Sequence, residues 1–274
     1  MKDWIVPPGI LRLIFSLRHQ YLFFRQNSSA VLSANSRFHN IHAGKRCFVI
    51  GNGPSTNSQD LSLLKNEITY TCNAFYLHPI LSKWQPTYHS HVDPAAFDGS
   101  VEMTNWFREL CEKMPNTKFF LPLNARNNIV VKNLFPLERT HYCSFAGAMS
   151  ERVTSVDITR TIPGVQSVSL FGIALAIYMG CNPIYLIGMD HDWLATRKVD
   201  THFYEGLIIN GSVVGSNQAI IPYDLDMENM LRLWQGYKNI KAFAELRGVK
   251  ICNATNGGFL DVFKRVKYES LFSK

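Results

Sequence analysis

Three sets of residues in this 274-residue chain have the chemistry to act on a substrate. His202 stands in Asp200-Thr201-His202-Phe203-Tyr204, with an acid two positions before it and a phenol two positions after. An imidazole titrates near neutral pH and is the usual general base towards a hydroxyl; a structural histidine fits the same run. Asp190 and Asp192 flank His191 as a close acid pair. Carboxylate oxygens suit Mg²⁺ held against a pyrophosphate, and Asp190 fits equally as a cap or as the residue that orients the following segment. The third set is Asn52, Asn73, Asp93 and Ser167, each beside a turn or an apolar run. An Asn amide both donates and accepts, which matches a ribose or pyrimidine edge, and a serine at a helix start can hold a phosphate or carboxylate. Singly, each also reads as a cap or turn residue. Their recurrence at successive strand ends is the stronger signal.

These side chains need elements that bring them together. Cys47–Ile50 is an apolar, β-forming run that enters Gly51-Asn52-Gly53-Pro54-Ser55. It predicts a buried strand, a tight turn and a helix start whose N–H groups face an anion. The run is neither the full dinucleotide fingerprint nor a Walker loop with its lysine, so an ordinary strand-to-helix turn fits beside a phosphate cradle. Ile68–Tyr76 and Tyr88–Pro94 read as strands with Asn73 and Asp93 towards their ends. Residues 100–114 have helical spacing, Lys118–Leu123 is a strand, and 124–160 show no clear pattern. Ser167–Gly180 is an apolar helix feeding a fully buried type of strand, Pro183–Asp190. Asp224–Arg247 is a long helix stopped at Gly248, and Val249–Thr255 is a last strand.

The alternation predicts an α/β, Rossmann-like, doubly wound and mostly parallel sheet. It carries a lid insertion over about 191–222, too long for a passive connection, and an N-terminal helical extension. The expected division is an amphipathic, basic extension and linker over 1–44, polar from 26 onwards, followed by a catalytic domain over 45–274.

Hydrophobic content of 46% and charged content of 18% belong to a globular chain. A net charge of +7 suits an anionic partner such as a nucleotide, a phospholipid surface or a nucleic acid. With no RNA-binding signature and no Arg-rich tract, no nucleic-acid partner is expected. The six cysteines have neither C-x-x-C nor metal-ligand spacing and read as reduced core thiols in a reducing, cytoplasmic compartment. No run reaches the roughly 18 apolar residues of a membrane span, and the start lacks a signal-peptide cleavage pattern. Residues 1–25 mix Trp4, Leu11, Leu13, Ile14 and Phe15 with Arg12, Arg18 and Arg25. That composition fits a helix lying on an anionic membrane surface, hence a peripheral place on the inner face of the cell membrane. A helix packed on the core or on another subunit of a homo-oligomer is the alternative.

Taken together, Cys47–Ser55, Thr71–Tyr76, Val92-Asp93-Pro94, Ala174–Asp190 and Thr201–Tyr204 resemble, in type and order, the bacterial sialyltransferases of glycosyltransferase family 42. The chain is more similar still to the broader MptE-like family, named for a 6-hydroxymethylpterin diphosphokinase and including flagellar motility accessory factors. Asn253–Phe263 and Tyr268–Leu271 resemble that group's ending. The resemblance implies an inverting, metal-independent transfer of a sialic-acid-like (nonulosonic) sugar from a CMP-sugar donor to a glycan acceptor, and the basic, aromatic N-terminus suits the lipid-linked acceptors of surface polysaccharide assembly. It implies that Gly51, Asn52 and Gly53 lie along the nucleotide, that Asn73, Asp93, Gly188 and Asp190 belong to the nucleotide and donor site, that Ser167 sits near the donor carboxylate, and that His202 is the general base. The chain departs from the sialyltransferases at Asp93, where they carry Asn. It departs again at Ser167-Val168-Ser169, and at His191-Asp192-Trp193, where they have tyrosines that assist the leaving phosphate. Tyr204 is the substitute this expectation names. No cofactor is implied. The alternatives are a Mg²⁺-dependent diphosphokinase of the pterin type, with Asp190 and Asp192 on the metal, and a non-catalytic nucleotide-sugar-binding protein.

Overall fold

The structure, a computed structural model, describes residues 28–196, 202–204, 207–209, 212–214 and 222–272. In chain order the strands are β1 (Cys47–Ile50), β2 (Ile68–Cys72), β3 (Tyr88–Ser90), β4 (Lys118–Pro122), β5 (Thr140–Ala146), β6 (Thr161–Pro163), β7 (Ile184–Ile187), β8 (Leu207–Ile209), β9 (Ser212–Val214), β10 (Ile251–Asn253) and β11 (Lys264–Arg265). The α-helices are α1 (Ser28–Ser33), α2 (Val101–Lys113), α3 (Arg126–Val131), α4 (Val168–Tyr178), α5 (Trp193–Thr196) and α6 (Tyr223–Glu245). Nine strands form one sheet in the order β11-β10-β7-β1-β2-β3-β4-β5-β6, and every neighbouring pair is parallel. β8 and β9 pair antiparallel with each other. The fold is therefore Rossmann-like, as the alternation predicts, and its nine-stranded sheet is parallel throughout.

The chain steps outward from β1 to β6 and then returns to lay β7 on the other side of β1. That reversal is the switch point at which ligands bind in open α/β sheets. β1 and β7 are level there, Ile50 lying opposite Ile187. The turns at their ends touch: Gly51 N–H donates to Ile187 C=O at 2.8 Å, and Gly53 N–H to Gly188 C=O at 3.0 Å.

The unbroken apolar run of β1 has a direct cause. Cys47 and Val49 face one buried layer, which includes α4 and the inner side of α6, while Phe48 and Ile50 face a second, which includes α2. A strand covered on both faces has no polar side to show. α4 is likewise apolar all round, and every residue from Ser169 to Tyr178 is buried. It approaches the sheet at Gly172, where a Cβ would lie 2.3 Å from the Tyr70 ring. α6 approaches α4 at Gly236, where a Cβ would lie 2.8 Å from Leu170 Cδ1.

Composition marks 26–44 as a polar linker, and the described part of it is not one. Asn35, only 1% exposed, donates from Nδ2 to Tyr142 C=O at 2.8 Å and to Ile158 C=O at 3.0 Å. Phe38 is buried against Tyr88, Phe120 and His141. Asn40 N–H and His42 N–H donate to Tyr178 and Met179 C=O at the end of α4. Asn35 and these backbone amides serve carbonyls of the packed domain and tie the stretch to it, while Ser33, Ser36, Arg37, His39 and Asn40 stay exposed. The membrane reading of residues 1–25 lies outside the described residues. Of the expected lid, α5, residues 202–204 and the β8–β9 pair are described, with 191, 192 and 222 at its ends, and the rest of 191–222 lies outside them. All six cysteines are free thiols. No helix among the described residues is long and apolar enough to cross a membrane.

Candidate active site

A cleft of about 1100 Å³ opens at the carboxyl ends of β1, β2, β3 and β7. The residues Gly51, Asn73, His91 and Gly188 each directly follow one of those strands, and all four line it. Asn52, Gly53, Asp93, Ser167, Asp190 and His202 line it too. Distant stretches of sequence thus meet in one space, because parallel strands all end on the same side.

The turn after β1 differs from expectation in one respect. In place of a full helix the chain makes a single five-residue 3₁₀ turn, Pro54–Ser58, and its anion is already present. The Asp190 carboxylate accepts from Ser55 N–H at 3.1 Å and from Ser55 Oγ–H at 2.7 Å. Burial pushes the Asp190 carboxyl up from its ordinary range, and the two Ser55 bonds pull it back. A Cβ on Gly53 would sit 1.8 Å from Asp190 Oδ2, and a Cβ on Gly51 2.5 Å from Gly188 C=O. These glycines therefore first serve the closure of one turn on the other. Both Asp190 oxygens are engaged, which fits the cap-and-orient reading better than a metal ligand. Asp192 is half-buried and is not a lining residue. Among the described residues, no group of three or more His, Cys, Asp or Glu is placed to hold a metal.

With the β1 turn taken, the helix start available to an anion is that of α4, an eleven-residue helix. Val165–Ser169 line the cleft, and Ser167 is the N-cap, accepting from Ser169 N–H at 3.2 Å. His191 Nε2 and Tyr237 Oη are 2.9 Å apart, which ties the loop after β7 to α6. His191 holds a left-handed backbone, φ 49°, and burial brings its imidazole down to about 4.

On the other side, Asn52 donates from Nδ2 to Cys72 C=O at 3.1 Å, which fixes its amide. Its Oδ1 and that of Asn73 are buried and have no hydrogen-bond partner among the described residues, nor has His91 Nδ1. Asn73 sits at φ 49°, a conformation that Asn tolerates better than most residues. Orphan buried acceptors are costly, and a bound ligand presenting N–H or O–H groups would satisfy them. His91 packs edge-on against Phe97, Trp106 and Phe107, and burial lowers its titration to about 4. Asp93 stands at the exposed rim and caps the next turn by accepting from Ala95 N–H at 3.0 Å.

His202 is held over the β1 turn through its neighbour: Phe203 N–H donates to Asn52 C=O at 2.8 Å. Burial lowers the His202 pKa below 6.5, which keeps the ring neutral and able to accept a proton. Tyr204 departs from expectation. It is 8% exposed, packs in the apolar layer with Ala74, Phe75 and Tyr76, and is not a lining residue. Its ring lies 5.0 Å from that of His202, so it backs the histidine instead of facing a leaving group.

Sequence reasoning gave no role to His91, Gln166, Tyr223, Asp226 or Asn229, all of which line the cleft. The signal for the last three was legible: Tyr223, Asp226, Asn229 and Leu233 recur at helical spacing on the side of α6 that continues into buried Tyr237 and Ile240.

A family profile described as 6-hydroxymethylpterin diphosphokinase MptE-like matches residues 23–196. No curated protein sequence matches the chain. Among solved structures, the sialyltransferase CstII from Campylobacter jejuni in complex with CMP-3FNeuAc is similar with TM-score 0.48 and 14% identity, over 81% of this chain and 86% of that one. The MAf glycosyltransferase from Magnetospirillum magneticum AMB-1 is similar with TM-score 0.49 and 14% identity, over 89% of this chain and 38% of that one. A complex of CST-II with a trisaccharide acceptor and CMP gives TM-score 0.46 at 14% identity, over 80% and 85% of the two chains.

Proposed function

The chain belongs to the MptE-like family, and from that premise we propose that it is an inverting glycosyltransferase that takes a sugar from a CMP donor. One observation carries this: a histidine kept neutral by burial and two buried, unpartnered carboxamide oxygens belong to residues lining the same cleft at the switch point of the sheet. Asn52 and Asn73 are assigned to the nucleoside, whose amino and hydroxyl groups supply the missing donors. The start of α4 with Ser167 is assigned to the negative groups of an acidic, sialic-acid-like sugar. His202 takes the proton of the acceptor hydroxyl. The acceptor oxygen then attacks the anomeric carbon from the face opposite the phosphate, and the carbon–oxygen bond to CMP breaks with its electron pair leaving on the phosphate. A base of this kind contributes about 10²–10⁴-fold. His202→Ala is expected to keep CMP affinity within about twofold and to lower transfer by at least about 100-fold, read as CMP released with acceptor present. Transfer by the variant at the wild-type rate overturns the assignment.

The family description favours a second reading, diphosphoryl transfer from ATP with Mg²⁺ to a pterin-like alcohol. Calorimetry separates the two. Binding of CMP that is indifferent to EDTA supports sugar transfer, and binding of ATP that requires Mg²⁺ supports the kinase.

A further inference from the structure

We propose that the first two turns of α6 form the acceptor wall of the cleft, and that Asp226 and Asn229 read the hydroxyl or amino groups of an uncharged or amino-bearing sugar. The proposal deepens the glycosyltransferase reading and rests on it. α6 changes character along its length. From Leu233 onward its inner side is apolar and buried through Tyr237, Ile240 and Ala244. One and two turns earlier the same side carries Asn229 and Asp226, with Tyr223 at its start, and all three line the cleft. Over this stretch Met230 packs on the core, but three other apolar residues are outside: Leu225, Met227 and Leu231 are 43–59% exposed. A helix whose only task was to close the core would place them inward.

Neither Asp226 nor Asn229 gives its side chain a hydrogen bond or an ion pair among the described residues. An acid in a first turn also favours the helix dipole, but that explains nothing about Asn229, which lies beyond it. The wall is completed by Trp193, half-buried with its ring edge-on to His191 at 5.3 Å. Aromatic rings beside a carboxylate and a carboxamide match a sugar, which offers C–H faces and hydroxyl edges. His202 also lines this space, so a hydroxyl held here has a base in the same cleft. The charge of the wall sets the class of acceptor. Asp226 attracts an amine and repels a carboxylate, so a uronic acid is rejected by like charge.

The test uses the full chain with CMP-N-acetylneuraminate as donor probe and glucosamine, N-acetylglucosamine and glucuronate as acceptors. Wild type is expected to use glucosamine and N-acetylglucosamine at least about tenfold better than glucuronate, the size of one charge-assisted contact. Asp226→Asn is expected to remove most of that difference, and Asn229→Ala to raise acceptor KM about tenfold. Both should leave CMP affinity within about twofold of wild type. Acceptor preference unchanged in Asp226→Asn, or CMP affinity lost with it, overturns the proposal. Saturation-transfer NMR of glucosamine on each protein reads the wall without any turnover. Glucosamine signal present in wild type and weakened in Asp226→Asn supports the wall even if no sugar is transferred, in which case the functional reading alone has failed. No glucosamine signal on wild type overturns the wall itself.

Discussion

A histidine buried in its neutral form refuses a proton that the unfolded chain accepts, and this protein does so with several. Burial holds His91 and His191 at about 4 and His89 at about 3, against an ordinary 6.5. Two of these line the cleft with His202, whose pKa burial also lowers, so the same burial makes the fold sensitive to acid. Proton counts set the sign: between pH 6.5 and 4 the unfolded state binds more protons, so stability is complete above 6.5 and falls as pH drops through that window. At about 1.4 kcal/mol per unit, His91 and His191 each remove about 2 kcal/mol by pH 5. The urea midpoint is therefore expected to fall steeply between pH 7 and pH 5. His191→Asn keeps a residue that tolerates φ 49° and deletes one titration, so the drop should shrink in that variant. A midpoint independent of pH across this range, in both proteins, would contradict the burial of these rings.

Elements place the residues, and they were legible where one layer of packing dictates the pattern. β1, β7 and α4 are covered on all sides, and their apolar runs said so. β5 was not legible, because Thr140-His141-Tyr142-Cys143-Ser144 mixes polar and apolar residues whose burial depends on partners far away in sequence. One of those partners is the 28–44 stretch, where Asn35 binds the carbonyls of Tyr142 and Ile158, 107 and 123 residues distant. The capping of Ser55 by Asp190 across 135 residues was hidden for the same reason. The strand-end residues were found because a parallel sheet forces them together, whereas the exclusion of Tyr204 from the cleft depends on a rotation that no spacing reveals. If residues 28–44 are an integral part of the sheet's packing, Asn35→Ala should leave two buried carbonyls unpaired and destabilise the whole domain by about 2–3 kcal/mol. The measurement is the free energy of unfolding. A loss below about 0.5 kcal/mol, the size of a surface change, restores the linker reading.

At the scale of the molecule, the net charge and the described cleft wall differ in sign. The chain carries +7 overall with 28 lysines and arginines, yet the described residues lining the cleft include Asp93, Asp190 and Asp226 and no lysine or arginine. Among the described residues, then, the basic balance that suggests an anionic ligand is not found on the cleft wall. On the proposed reading, phosphate and carboxylate groups are left to the neutral donors of the described wall, the first turn of α4 and the Ser167 hydroxyl. Short-range hydrogen bonds to fixed dipoles respond little to added salt, whereas attraction to clustered cations is screened over a Debye length of about 8–10 Å at physiological strength. CMP affinity is accordingly expected to change less than about threefold between about 50 and 300 mM NaCl, while association with anionic vesicles, if the basic surface or residues 1–25 mediate it, should collapse over the same range. Titrating CMP by calorimetry at both salts decides the first point, and vesicle co-sedimentation of the full chain decides the second. A CMP affinity that falls tenfold or more with salt means that cations outside the described cleft wall reach the nucleotide, and the assignment of its negative groups to the α4 start is then wrong.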